Sequence, residues 1–227
     1  MSNRFIVTVD GSAASGKTAL ARLLAEALGF QHLNSGLLYR GVALLALRHH
    51  VAVSDEESIR ALVRESPLSL RVGEQGQCEL FLGESPCDAD LSASEISSMA
   101  SKVAALPGVR SDLLFAQREA FPGFGIVAEG RDMGSIVFPD APVKFFVDAR
   151  LDVRGKRRLE QMIARGEKTD LERVMSELTL RDEHDATREH APMIKTSDAI
   201  VIDNSDRSLA ETVSDMVAQV KGARTQW

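Results

Sequence analysis

Eight residues, Gly11-Ser12-Ala13-Ala14-Ser15-Gly16-Lys17-Thr18, constrain this chain more than any other feature. They fit GxxxxGK[ST], the loop whose backbone N–H groups wrap a β-phosphate while the Lys reaches the β and γ oxygens and the Ser/Thr hydroxyl holds Mg²⁺. What flanks the loop agrees with that reading. Residues 5–10 form a short apolar run rich in β-branched side chains, as expected of a buried parallel strand. After the loop, Leu20, Leu23, Leu24, Ala27 and Leu28 recur with helical spacing, and Gly29 stands where a helix C-cap favours a left-handed residue. A Gly-rich turn with an exposed lysine is the bland alternative; strand, Gly loop and amphipathic helix in succession argue instead for a site that binds a nucleoside triphosphate.

The chain has 227 residues, which at roughly 150 residues per domain gives one large or two small domains. Residues 125–128, 143–147 and 199–202 repeat the buried-strand character of the opening segment, with helical stretches between them. The pattern predicts an α/β fold on a parallel sheet. One stretch breaks the rhythm: Leu68, Leu70 and Val72, then Cys78, Leu80 and Leu82, alternate with other residues across Gln75-Gly76-Gln77. That reads as an antiparallel hairpin, lying in a small insert over residues 55–97. Residues 154–170, dense in charge and interrupted by Gly166, read as a mobile piece.

Composition excludes several classes. Hydrophobic residues make up 44% and charged residues 26%, which is ordinary for a globular protein. The longest apolar run, residues 42–47, is far short of the ~18 residues of a membrane helix. Asp10 closes the first apolar stretch before a signal-peptide core can form, so a cytoplasmic location is expected. Cys78 and Cys87 have no metal-ligand or disulfide spacing and are expected to be reduced thiols. The net charge of -6 disfavours a broad face for nucleic acid, so an anionic ligand must be held by a local cluster.

The fate of the γ-phosphate depends on a second site. A guanine-nucleotide switch would carry Asn-Lys-x-Asp, and none of Asn3, Asn34 and Asn204 begins one. A transferase needs arginines to hold an acceptor, and four places offer them. The first is Asn34-Ser35-Gly36-Leu37-Leu38-Tyr39-Arg40; the second is Ser101 with Arg110. The third, Glu129-Gly130-Arg131-Asp132-Met133-Gly134, follows a buried strand, and ligands of open parallel sheets sit at the carboxyl ends of strands. In the fourth, Arg181, Asp185 and Arg188 are spaced to share one helix face. For this last set, as for Arg154, Lys156, Arg157 and Arg158, a solvated helix face laced with ion pairs is the competing reading.

Taken together, these segments resemble the bacterial cytidylate kinases, members of the nucleoside monophosphate kinase group of P-loop proteins. The resemblance rests on Asp10-Gly11, Ser35-Gly36 with Tyr39-Arg40, Ala104-Ala105-Leu106-Pro107 leading to Arg110, Gly130-Arg131-Asp132-Met133-Gly134, Val137-Phe138-Pro139-Asp140-Ala141-Pro142, and Arg181-Asp182 through Arg188. It spans most of the chain and is thinnest between about residues 50 and 90. It implies a P-loop NTPase-type core of five parallel strands flanked by helices, a β-containing monophosphate-binding insert and a short helical lid. The implied division is core over 1–38, monophosphate-binding part over 39–101, core over 102–152, lid over 153–170 and core over 171–227.

The resemblance also implies a reaction: Mg²⁺-dependent transfer of the γ-phosphoryl group of ATP to CMP or dCMP, in pyrimidine nucleotide metabolism. It puts Ser35, Ser101, Arg110, Asp132 and Arg188 around the cytosine, Tyr39 in the same CMP site, Arg40 and Arg131 on the acceptor phosphate, and Arg181 with Asp185 at the ribose. The P-loop from Gly11 to Thr18 and the lid arginines Arg154, Arg157 and Arg158 would face ATP. Lys17, Arg131, Asp132, Arg157 and Arg158 would form the catalytic set, with Thr18 at the metal. The family default is a monomer with no nucleic-acid or membrane partner.

The chemistry suits those residues. Cytosine carries an amino donor beside acceptors, so its reader needs a carboxylate or hydroxyl next to an arginine. The acceptor phosphate, with second pKa near 6, is already largely a dianion and requires no general base. A kinase for a non-nucleotide acceptor would instead use Asp132 as base on a hydroxyl, and a regulatory module would bind ATP without transfer. The chain departs from the family at Ser12 and Ala14, where Pro and Gly are frequent, at Asn34, where Asp is frequent, and at Ser92, where some members have Arg.

Overall fold

The computed structural model describes residues 4–73, 76–87, 89 and 91–225. Strand β1 (Ile6–Gly11) leads through the Gly loop into α1 (Lys17–Leu28). Gly16 at φ 90° starts that helix, and Gly29 at φ 66° ends it, returning its N–H to the carbonyls of Ala25 and Glu26. Strand β2 (Gln31–Asn34) runs directly into α2 (Ser35–Arg48). Helix α3 (Glu56–Glu65) begins at Asp55, whose carboxylate accepts the Ser58 N–H at 3.1 Å.

The insert then forms β3 (Leu68–Val72), β4 (Cys78–Leu82) and the short β5 (Ser85–Pro86), an antiparallel sheet in which Leu70 faces Leu80. This is the hairpin that the alternation predicts; Gln75 of its expected turn lies outside the described residues. Helices α4 (Ser94–Val103) and α5 (Pro107–Arg118) follow, the latter with Pro in its first turn. Then come β6 (Ile126–Glu129), a π-helical turn at Met133–Val137, β7 (Val143–Asp148), α6 (Leu151–Ala164), α7 (Leu171–Thr187), β8 (Ile200–Asp203) and α8 (Leu209–Arg224). A reciprocal Ser208–Glu211 capping box opens α8.

The main sheet has the order β2-β6-β1-β7-β8, and each neighbouring pair is parallel. Such strands need crossover connections, which put helices on both faces and explain the near-continuous burial of β1. Val7, Val9, Leu24, Phe145 and Met216 fill the space towards α1 and α8, while Leu33, Leu38, Val42, Val109 and Met133 belong to the larger core beneath the insert. A fully buried Leu or Phe contributes about 2 kcal/mol by the area it removes from water. The register sets Val9 beside Glu129 and Gly11 beside Val147. The loops after β1 and β6 therefore leave the sheet side by side at its carboxyl edge.

One expectation needs correction. Helix α7 stops at Thr187, so Arg188 lies just past its end with extended backbone instead of on the helix face. A turn in which Met193 N–H reaches the Asp185 carbonyl at 2.7 Å folds the chain back and returns Arg188 to the same cluster. Within the segment expected to be mobile, residues 154–170, the chain is helical as far as Ala164, where α6 packs on α7; a Cβ at Gly155 would come 2.6 Å from Met175 Cγ. Gly166, at φ 77°, follows the end of that helix. No helix among the described residues is long and apolar enough to cross a membrane.

Candidate active site

The carboxyl edge of the sheet opens into one cleft of about 930 Å³, lined on one side by the P-loop and on the other by side chains from α2, α4, α5, α7 and the loop after β6. The donor half starts at Gly11, at φ 147°, where a Cβ would lie 1.9 Å from the Val147 carbonyl oxygen; only glycine lets the loop leave β1 this close to β7. Ala14 takes a left-handed φ of 58°, a conformation that glycine adopts without strain.

Neighbouring elements hold the loop's backbone. Ala13 N–H donates to Asp182 Oδ1 at 2.9 Å, and Asn204 Nδ2 donates to the Ser15 carbonyl at 2.8 Å. The Ser12 hydroxyl donates to Asp148. Lys17 is buried, its Nζ donating to the Ser12 carbonyl at 3.0 Å. Burial first, and then the charge of Arg131, holds the Lys17 ammonium well below its ordinary pKa. An anion arriving there restores the balance, which is what a phosphate-binding lysine requires.

Thr18 reaches the end of β6, its hydroxyl donating to Glu129 Oε2 at 2.8 Å. Glu129 Oε1 lies 3.1 Å from His32 Nε2. Burial pushes this carboxyl up, but His32, Lys17 and Thr18 outweigh burial and keep it below the ordinary value. Thr18 and Glu129 together present hard oxygen donors of the kind Mg²⁺ takes.

The half of the cleft facing the P-loop is built around Asp132. Its carboxylate pairs with the Arg110 guanidinium, and Arg188 NH2 stands 3.9 Å from its other oxygen. Arg110 also donates to the Ala104 carbonyl at 3.1 Å and stacks 5.5 Å from the Tyr39 ring. Ser35 Oγ donates to the Glu129 carbonyl at 2.7 Å. Arg131 Nε donates to Asp185 Oδ2 at 2.9 Å, and Ser101 Oγ donates to Asp185 Oδ1 at 3.3 Å.

Between the halves arginines outnumber the carboxylates that face them. Arg181 is pushed down to about 10, by burial first and then by Arg131, and its Nε has no hydrogen-bond partner. Arg40 is lowered for the same reasons, burial first and then the neighbouring Arg158, Arg131 and Arg165. Arg40, Arg131, Arg158 and Arg181 thus line one shared volume, with Arg131 and Arg158 among the charges that lower Arg40 and Arg181. That arrangement suits a multiply charged anion.

Most residues singled out in the sequence line this one cleft: Ala13, Ala14, Gly16, Lys17, Thr18, Ser35, Tyr39, Arg40, Ser101, Arg110, Arg131, Asp132, Arg157, Arg158, Arg181, Asp185 and Arg188. Gly11, Ser12 and Ser15 stand behind its wall, in the buried base of the loop. Arg154 also departs from the expected position facing ATP. It is buried behind the loop, paired with Asp182 and donating to the Ala13 carbonyl at 3.1 Å and the Ala149 carbonyl at 2.9 Å. Its part in the geometry is to brace the P-loop. The sequence reading gave no role to Glu129, Asp182, Asn204 or Asp10, whose partners lie 111, 169, 189 and 123 residues away. No local spacing reports such contacts, although Glu129 stands inside a motif already quoted.

Comparison with known proteins agrees with this geometry. A family model described as cytidylate kinase matches residues 7–222. A cytidylate kinase of Pectobacterium carotovorum is 40% identical over 217 residues, covering 95% of this chain and 96% of that protein. One from Klebsiella pneumoniae is 39% identical over 208 residues, covering 92% and 91%. Among solved structures, an uncharacterized protein from Eubacterium ventriosum superposes with a TM-score of 0.50 over 96% of this chain and 99% of that one. At 12% identity that likeness bears on the fold alone. With a P-loop, an arginine-lined cleft and a match of this extent in sequence, the chain belongs to the cytidylate kinase family.

Proposed function

We propose that this protein transfers the γ-phosphoryl group of ATP to CMP, and also to dCMP, acting as a monomer in the cytoplasm. The observation that carries the reading is the buried Asp132 carboxylate, paired with Arg110 and flanked by Arg188, in the same cleft as the P-loop. A carboxylate held between arginines can accept from the cytosine amino group while an arginine donates to the ring acceptors; uracil would turn a carbonyl oxygen towards that charge. Ser35 and Ser101 would complete the reading of the base, with Tyr39 packed under Arg110. Asp185 and Arg181 would meet the ribose.

Arg40 and Arg131 would bind the acceptor phosphate, with Arg158 and Arg181 adding to the same field. Lys17 and the P-loop amides would hold the donor phosphates, and Arg157, whose NH2 donates to the Asn204 carbonyl at 2.8 Å, would approach from the other side. Catalysis then consists of positioning and charge neutralisation, with no general base, since the acceptor is already ionised.

Mg²⁺ fits the donor half. Thr18 and Glu129 would hold it, and when bound it neutralises charge on the phosphate oxygens of ATP. Among the described residues no group of three His, Cys, Asp or Glu side chains could hold a metal by itself, so the phosphates would supply much of the coordination.

We assign residues 39–101 to an acceptor-binding unit and 153–170 to a lid on the core formed by 1–38, 102–152 and 171–227. The lid meets the acceptor-binding unit directly: Ser94 Oγ donates to Glu167 at 2.6 Å and Arg165 donates to the Ser92 carbonyl at 2.8 Å. A lid drawn against the insert excludes water and limits hydrolysis of ATP. A coupled assay with ATP and Mg²⁺, offering CMP, dCMP, UMP, AMP and GMP separately, tests the function. Turnover of CMP and dCMP with little of the others is expected; equal use of AMP would overturn the reading of the base site.

A further inference from the structure

We infer that Asp10 is a positioning residue for acceptor recognition, clamping the backbone that carries Asp132 so that the Asp132 side chain is free to face the base. The inference rests on the cytidylate reading above and assigns a role to a residue outside the cleft.

Asp10 is buried at the end of β1, one residue before the P-loop, and does not line the cleft. Both of its carboxylate oxygens are committed: Oδ1 accepts the Met133 N–H at 2.8 Å and Oδ2 the Gly134 N–H at 2.7 Å. Those two N–H groups open the π-helical turn Met133–Val137, where a helix has no internal acceptor for them. Asp132 occupies the N-cap position of that turn. An aspartate there ordinarily bends its own carboxylate back onto the first N–H groups. Asp132 makes no such bond. Asp10 performs the capping from another strand, and the Asp132 carboxylate pairs with Arg110 instead.

Close packing makes the clamp specific. A Cβ at Gly134 would come 2.8 Å from Thr8 Oγ1, 3.1 Å from Lys144 Cδ and 3.4 Å from Asp10 Oδ2. On the other side of Asp132, the Gly130 N–H reaches the Val9 carbonyl at 3.1 Å. The loop that presents Arg131 and Asp132 is thus pinned at both ends to the last residues of the P-loop strand.

Asp10→Asn tests this. The amide keeps one acceptor but turns an NH2 towards the second N–H, so one clamp bond is lost and Asp132 can cap its own turn. We expect the preference for CMP over UMP, taken as a ratio of kcat/KM, to fall about tenfold or more. KM for CMP should rise by a similar factor, while ATP affinity, titrated without acceptor, changes less than about twofold. Gly134→Ala approaches the same contact from the other partner and should produce the same split; if Asp10→Asn does not fold, Gly134→Ala decides alone. An unchanged preference, or CMP and ATP constants moving by one common factor, would overturn the inference and leave Asp10 a residue of general structure. A wild type that shows no preference for CMP would overturn the functional reading, and the inference with it.

Discussion

The Thr18 hydroxyl and the Glu129 carboxylate meet at 2.8 Å, joining the first turn of α1 to the end of β6. Glu129 serves both halves of the cleft, because its backbone carbonyl also accepts the Ser35 hydroxyl at 2.7 Å. The strand order creates the contact: β6 lies directly beside β1, so the residue ending β6 faces the P-loop threonine.

Glu129→Gln removes the charge while keeping the shape. The Mg²⁺ concentration for half-maximal velocity should rise about tenfold or more, since losing even a group that only orients a metal ligand has that effect. Velocity measured against Mg²⁺ at fixed ATP checks this. An unchanged requirement would remove Glu129 from the metal site.

Arg110 and Asp132 form a buried pair, so the single and double variants should differ in kind. Arg110→Met leaves a buried carboxylate with only the more distant Arg188 and should cost about 3 kcal/mol in urea unfolding, together with the preference for CMP. Adding Asp132→Asn should recover much of the stability and none of the preference. Recovery of both would mean that the pair holds the fold without reading the base.

Ala14 sits at φ 58° in the P-loop, a conformation costing a non-glycine residue roughly 1–2 kcal/mol. Ala14→Gly relieves that strain but frees the unfolded chain, for a net gain of about 0.5–1 kcal/mol. The expected rise in melting temperature is about 1–4 °C. A fall in melting temperature would show that the alanine methyl, next to the small cluster of Ala13, Met162, Val174 and Leu178, repays the strain by packing.

Asp10 is pushed up to about 7, by burial first, with Asp132 adding to the rise and the Gly134 and Met133 N–H groups and Arg131 opposing it. A carboxyl whose folded pKa exceeds its unfolded value contributes stability that is greatest at acid pH and lost as pH rises towards the folded value. Relative to Asp10→Asn, the wild type should therefore lose stability between about pH 4 and pH 7. Paired urea melts at pH 5 and pH 8 measure the change. A constant difference between the two proteins would mean that Asp10 titrates normally.

The core of the fold was legible because its rules are local. Alternation of Leu68, Leu70 and Val72 against Cys78, Leu80 and Leu82 marked the hairpin, and the period of Leu20, Leu24 and Leu28 marked α1. The end of α7 was not legible. Arg181, Asp185 and Arg188 have helical spacing, yet the helix stops at Thr187 because the chain turns back through Met193. The triad still assembles, so the right cluster followed from a partly wrong local picture.

From the residue order alone follow the phosphate loop, the parallel sheet and the set of arginines and carboxylates that the cleft gathers. Glycine positions, apolar periodicity and motif spacing each act over a few residues and can be read along the chain. Tertiary structure alone decided which polar groups satisfy one another. It buried Arg154 behind the loop against Asp182, set Asn204 on the Ser15 carbonyl, and placed Asp10 under the turn that carries Asp132. The physical reason is that a buried polar group must find a partner wherever packing brings one, and the order of strands in the sheet, not their order in sequence, determines which partner that is.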